Sequence, residues 1–125
     1  RDHIATRVPE MIDHYVKAWR GDYELARFAT PLTYNDADFV DALLPSIKEV
    51  AGAEQVVEVA KPLPGSEDFS YVSELVPGCF IMLGAGKPGG FPMHNPNMVL
   101  DETVFATGTA IYANCAMAWL AANGA

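Results

Sequence analysis

One histidine in this sequence is held in a way that could do chemistry. His94 lies between Pro92 and Pro96 in the stretch Met93-His94-Asn95-Pro96-Asn97. The two prolines leave its backbone little freedom, so its imidazole can be aimed at a metal ion or a substrate. A loop histidine bonded only to nearby carbonyls would leave the same trace, and one imidazole is never a metal site by itself. His3 and His14 do not complete it: on one helix they stand ~16 Å apart and cannot share an ion. A second group is Gly65-Ser66-Glu67-Asp68-Phe69, which follows the bend Pro62-Leu63-Pro64. Two carboxylates in a first helical turn either stabilise the helix through its macrodipole or support a site by holding a ligand or a cation in place.

Other arrangements carry less. Ser66 reads as a helix cap, since no G-x-S-x-G frame surrounds it. Gly84-Ala85-Gly86-Lys87 lacks the spacer and the Ser/Thr of a phosphate loop. The sequence contains neither H-E-x-x-H nor C-x-x-C. Cys79 and Cys115 match no zinc or redox spacing and sit in apolar runs, as buried free thiols do, with a disulfide between them left open.

These residues need elements to position them. Ile4, Val8, Met11, Ile12, Tyr15, Val16 and Trp19 recur at helical spacing and predict a helix ending near Gly21. Tyr23 to Ala29 reads as a strand, and Thr30 to Asp36 as an extended linker feeding a helix cap. A second helix carries Phe39, Val40, Leu43, Leu44, Ile47 and Val50 on one face, with Pro45 predicting a kink and Gly52 a stop. Gln55 to Val59 reads as a short strand, and a third helix is expected from Ser66 to about Leu75. The apolar run Cys79 to Leu83 reads as a strand covered on both faces. A last helix is expected from about Glu102 to Ala122, capped by Asp101. The segment from Gly84 to Asn97 has no regular pattern and leaves the end of a strand, where ligands bind in α/β proteins.

The order of elements is that of an α/β protein, yet three strands are few for a sheet that stands alone. The 125 residues, half of them apolar, suffice for a core. Against 16 acidic residues stand 8 basic ones, a net charge of -8 that repels nucleic acid and anionic lipid. No apolar run is read as approaching membrane-spanning length and the opening Arg1-Asp2-His3 is unlike a signal peptide, so a cytoplasmic location is expected. The first residue is not Met, as expected of a sequence that begins inside a longer parent.

Four motifs in order resemble the C-terminal part of the peptidase M20 amidohydrolases. They are Gly65-Ser66-Glu67-Asp68-Phe69-Ser70-Tyr71, Val76-Pro77-Gly78 with Cys79 to Gly84, Met93-His94-Asn95-Pro96-Asn97, and Asp101-Glu102. The pattern is most similar to the aminoacylase, hippurate hydrolase and indoleacetyl-amino-acid hydrolase branch. The resemblance implies a partial three-layer α/β catalytic domain at 37–125, preceded by the end of a lid (dimerisation) domain at 1–30. Residues 31–36 would be the hinge, with Asn35 and Asp36 at its close. It also implies a site with two divalent ions (zinc, manganese, nickel or cobalt) that cleaves N-acyl amino acids or small peptides. His94 matches a metal ligand of that site, while Glu67, Asp68 and Asn95 match positions near it.

The general-base glutamate and the remaining ligands belong to the family's N-terminal half and have no match here. The expectation is therefore a hydrolase fragment that is inactive alone, binds metal weakly, and forms a homo-oligomer or associates with the missing half. The rival is a non-catalytic α/β domain that uses open strand edges for binding or oligomerisation.

Overall fold

A computed structural model describes residues 2–124; Arg1, at the head of the charged opening, and Ala125 lie outside them. Among the described residues the chain forms α1 (Asp2–Ala18), α2 (Ala37–Ala51), α3 (Ser70–Ser73) and α4 (Phe105–Asn123), with 3-10 turns at Ala53–Gln55 and Glu102–Val104.

The capping chemistry of α2 follows its sequence. Asp36 is extended, and its carboxylate accepts the Phe39 N–H at 2.9 Å, filling one of the orphan donors of the first turn. At the other end Gly52 takes a positive φ of 86° and donates its N–H to the Lys48 carbonyl. The helix runs continuously through Pro45. One face of α2 meets α4, and Leu43, Ile47, Ile111 and Cys115 form the buried core. Across this interface the Asn114 amide donates to the Ser46 carbonyl at 3.1 Å and to the Glu49 carboxylate at 3.2 Å.

α1 ends in a different way from the one its sequence suggests. The Gly21 N–H reaches back to the Val16 carbonyl and the Arg20 N–H to the Lys17 carbonyl, the pair of bonds of a Schellman ending. The left-handed residue is Arg20, with φ 55°, and Gly21 is the residue after it. No residue of α1 is buried, and its apolar stripe of Ile4, Val8, Met11, Tyr15 and Trp19 faces outward.

The expected strands are the main correction. Among the described residues no strand forms: Tyr23 to Ala29 and Cys79 to Leu83 have neither helix nor ladder, and of the Gln55 to Val59 segment Gln55 ends the 3-10 turn while the rest joins no ladder. A strand exists only through the backbone pairing of a neighbour, and these segments have none beside them. Cys79 to Leu83 is accordingly not covered on both faces, since Ile81, Met82 and Leu83 are exposed. The third helix is also shorter than its pattern suggests. Ser66 caps nothing, and α3 begins only at Ser70 after Phe69, with no side-chain cap.

A further correction concerns the last helix. Residues Glu102–Asn123 are long and apolar enough to cross a membrane by length and composition alone. Alanines, each mildly apolar, raise the average without a run of large side chains. In this structure Ile111 and Cys115 of that helix are buried against α2, and most of its other residues are exposed.

Candidate functional site

The segment after Leu83 is a closed loop built of turns. Its neck is an antiparallel bridge between Gly86 and Leu100, reinforced by the Asp101 N–H donating to the Ala85 carbonyl at 2.8 Å. The first turn closes with Gly90 N–H to Lys87 carbonyl at 2.9 Å, and places Pro88 and Gly89 (φ 72°) at its centre. Pro followed by a positive-φ Gly is the requirement of a type II turn.

His94 belongs to the second turn. The Asn95 N–H donates to the Pro92 carbonyl at 3.2 Å, and His94 sits at the third position with φ 67°. A left-handed conformation there is what a type II turn demands, and a non-glycine residue holds it at some cost. The third turn runs from Asn95 to Met98, closed by Met98 N–H to Asn95 carbonyl at 3.0 Å. The Asn95 side-chain oxygen accepts the Asn97 N–H at 2.9 Å, so that carboxamide is committed to bracing the turn. His94 itself is exposed.

Asp101, a helix cap and part of the last of the four motifs in the sequence, has a further role here. Its carboxylate accepts the Thr103 hydroxyl at 2.7 Å and the Thr103 N–H at 3.1 Å. These bonds, hydroxyl first, hold its pKa below the ordinary carboxylate value, with Lys87 adding a favourable charge. One side chain thus caps the turn into α4 while its backbone closes the neck of the histidine loop.

The hinge residues meet the Gly78 to Phe80 segment. The Asn35 carboxamide donates to the Phe80 carbonyl at 3.0 Å and accepts the Phe80 N–H at 2.7 Å. Beside it the Asp36 N–H donates to the Gly78 carbonyl at 3.0 Å. Asn35 therefore supplies to Phe80 both bonds that a strand neighbour would supply. The Phe80 ring lies 5.7 Å from that of Phe69, and a Cβ on Gly78 would come within 3.0 Å of the Phe69 ring. The glycine of Val76-Pro77-Gly78 is what lets the two segments touch.

Glu67 and Asp68 immediately precede Phe69 and are exposed. A Glu67 carboxylate oxygen accepts the Asp68 N–H at 3.1 Å, and the carbonyls of both residues accept the N–H groups of Ser70 and Tyr71. They sit in the turn before α3 instead of within a first helical turn, so the macrodipole reading has only a four-residue helix to act on. Their neighbours Ser70 and Tyr71 belong to the same motif, and the sequence assigns them no separate role. Ser70 is fully buried with its hydroxyl unpartnered, and the Tyr71 hydroxyl donates to the Ala29 carbonyl at 3.3 Å. Tyr71 and Ala29 both line an open cleft of about 940 Å³, with Arg27, Pro31, Gly65 and Ser66.

The arrangement brings together Asn35, Asp36, Phe69 and Phe80, and leaves His94 on its own loop. Among the described residues no three His, Cys, Asp or Glu side chains gather to hold a metal ion. The residues present thus do not by themselves fit a two-ion centre.

Comparison with known proteins gives the context for this partial site. The chain matches Peptidase family M20/M25/M40 over residues 3–118. It is 37% identical over 92 residues to the IAA-amino acid hydrolase ILR1-like 2 of Arabidopsis thaliana, a match covering 72% of this chain and 21% of that protein. The IAA-amino acid hydrolase ILR1-like 4 of the same plant is 31% identical over 93 residues, 72% of this chain and 21% of its own. The uncharacterized hydrolase y4tI of Sinorhizobium fredii (strain NBRC 101917 / NGR234) is 25% identical over 113 residues, 89% of this chain and 28% of its own. The chain spans about a fifth to just over a quarter of the length of these relatives. No solved structure matches it.

Proposed function

The chain belongs to peptidase family M20/M25/M40, and from that membership we propose that it is the C-terminal part of a metal-dependent amidohydrolase acting on N-acyl amino acids or small peptides. In this reading residues 1–30 end the lid domain, 31–36 are the hinge, and 37–125 finish a three-layer α/β catalytic domain whose sheet takes its other strands from elsewhere in the protein. His94 is the one metal ligand contributed here, to a site for two ions of the zinc, manganese, nickel or cobalt class. Glu67 and Asp68 support the site, Asn95 shapes the histidine turn, and the general base lies outside these residues. The substrate is small, nucleic acid and membranes are not partners, and the protein is cytoplasmic.

The observation that carries the reading is the family match across 3–118 together with the strained turn that presents an exposed His94. Strained backbone persists where the surroundings impose it, and such sites cluster where function requires them. The two relatives named as IAA-amino acid hydrolases support an N-acyl amino acid as substrate class. The test is to mix the 125-residue chain with the N-terminal portion of its parent and assay hydrolysis of an N-acyl amino acid in the presence of zinc or manganese. Activity is expected of the mixture and of neither part. Full activity from this chain alone would sink the reading, because its residues supply one imidazole to the proposed centre.

A non-catalytic association domain is the second reading, favoured by the exposed Ile81, Met82 and Leu83 and the outward apolar stripe of α1. Metal affinity separates the two: submillimolar zinc binding that appears only when both portions are mixed supports the hydrolase.

A further inference from the structure

The two thiols lie outside everything proposed above. Both line one apolar groove of about 470 Å³, together with Phe69, Ile81, Ile111 and Trp119. Cys115 belongs to the buried core and Cys79 packs against that core. Both are free.

Their pairing follows from how the Cys79 to Leu83 segment lies along α4. That segment has no helix, turn or bend. At its far end a Cβ on Gly108 would come within 2.9 Å of the Leu83 side chain, which fixes one point of register. From Leu83 back to Cys79 an unbent chain covers roughly 13 Å, and residues 83, 81 and 79 share one face. From Gly108 forward to Cys115 a helix covers roughly 10.5 Å, and residues 108, 111 and 115 lie on one side. The two rows run antiparallel at nearly matched spacing, which brings Ile81 beside Ile111 and Cys79 beside Cys115.

We propose that Cys79 and Cys115 form a paired-thiol site that closes to a disulfide under a small disulfide oxidant, tying the Gly78 to Leu83 segment to α4. Cys79 is the more exposed of the two and makes the first attack. Its thiolate displaces one thiol from the oxidant, forming a mixed disulfide. The Cys115 thiolate then attacks the Cys79 sulfur and expels the second thiol. The two protons lost by the protein thiols end on the two expelled thiols, and the protein is oxidised by two electrons. Burial pushes both thiols up, and the neighbouring Cys115 adds to the effect at Cys79, so the exchange is slow near neutral pH and quickens in mild alkali.

Incubating the 125-residue chain with oxidised glutathione at mildly alkaline pH, followed by non-reducing mass analysis and peptide mapping, tests this. The expected product has lost two hydrogens, yields a Cys79–Cys115 linked peptide, and reverts with a dithiol reductant. The oxidised chain unfolds at a higher denaturant concentration than the reduced one. Cys79→Ala and Cys115→Ala each stop at a single glutathione adduct or none. The unmodified chain carries the decisive result, so a variant that fails to fold does not remove the test. Two glutathiones retained on it, chain-to-chain linked dimers as the sole product, or two thiols that stay reduced would each overturn the proposal.

Discussion

His94 occupies a backbone region that favours glycine, and that conflict can be measured. A side chain at φ 67° costs on the order of 1 kcal/mol relative to glycine. His94→Gly is therefore expected to leave the fold intact or raise its stability by up to ~1 kcal/mol, whereas His94→Ala keeps the strain. If the imidazole serves a metal, both variants lose hydrolysis in the reconstituted enzyme. Thermal unfolding and the mixing assay read the two effects separately, and a His94→Gly chain that is clearly destabilised would show that the ring packs where the structure leaves it exposed. Ser70 presents the opposite case, a residue whose type does not suit its surroundings. Its hydroxyl is fully buried without a partner, and an unsatisfied hydroxyl costs about 1–3 kcal/mol. Ser70→Ala should thus be neutral or stabilising by ~1 kcal/mol in this chain, measured by denaturant unfolding. A loss of similar size would mean that the hydroxyl has found a partner.

Among the elements, the helix signals were legible because they are local. Asp36, Gly52 and the apolar face from Phe39 to Val50 each act within a few residues, and α2 begins and ends where they indicate. The strand signals were not legible in that sense, since Cys79 to Leu83 needs a paired neighbour that no feature of its own sequence supplies. The histidine loop falls between these cases. Its prolines signal constraint, but its closure rests on the Gly86–Leu100 bridge and the Asp101 N–H, a pairing that no local pattern announces. The Asp101 pKa is depressed by Thr103, so its contribution is present above the ordinary carboxylate value and is lost as pH falls through the lower folded value. Acidification through and below the ordinary carboxylate value should loosen the turn into α4 and, through it, the neck. Asp13 is also held low by its bond to Lys17, so α1 loses a little support in the same direction. The difference between the chain and Asp101→Asn isolates the neck: the variant should lose less on acidification, read as unfolding midpoint against pH. Equal slopes would show that the neck does not depend on this carboxylate.

For the molecule as a whole, surface area decides between a domain and a part of one. The chain exposes 10376 Å² at a mass of 13.5 kDa, whereas a folded monomer of that mass exposes roughly 6,500 Å². The surplus, roughly 3,900 Å² by the same scaling, is several times the ~800 Å² that one partner commits to a standard interface. A binding module with one sticky patch would not carry such an excess, while a piece cut from a larger core would. Its character agrees: Trp19, Phe28, Leu75, Met82 and Tyr112 are among the exposed large apolar side chains, and the buried apolar core is small. Apolar surface on that scale drives association, so the chain alone is expected to self-associate at micromolar concentration in light scattering or sedimentation. Adding the N-terminal portion of the parent should replace those assemblies with a complex of defined stoichiometry, because the same surface would then be covered by its intended neighbour. A stable monomer at the same concentrations would contradict the argument, since apolar surface on this scale would then have to stay in water without driving association.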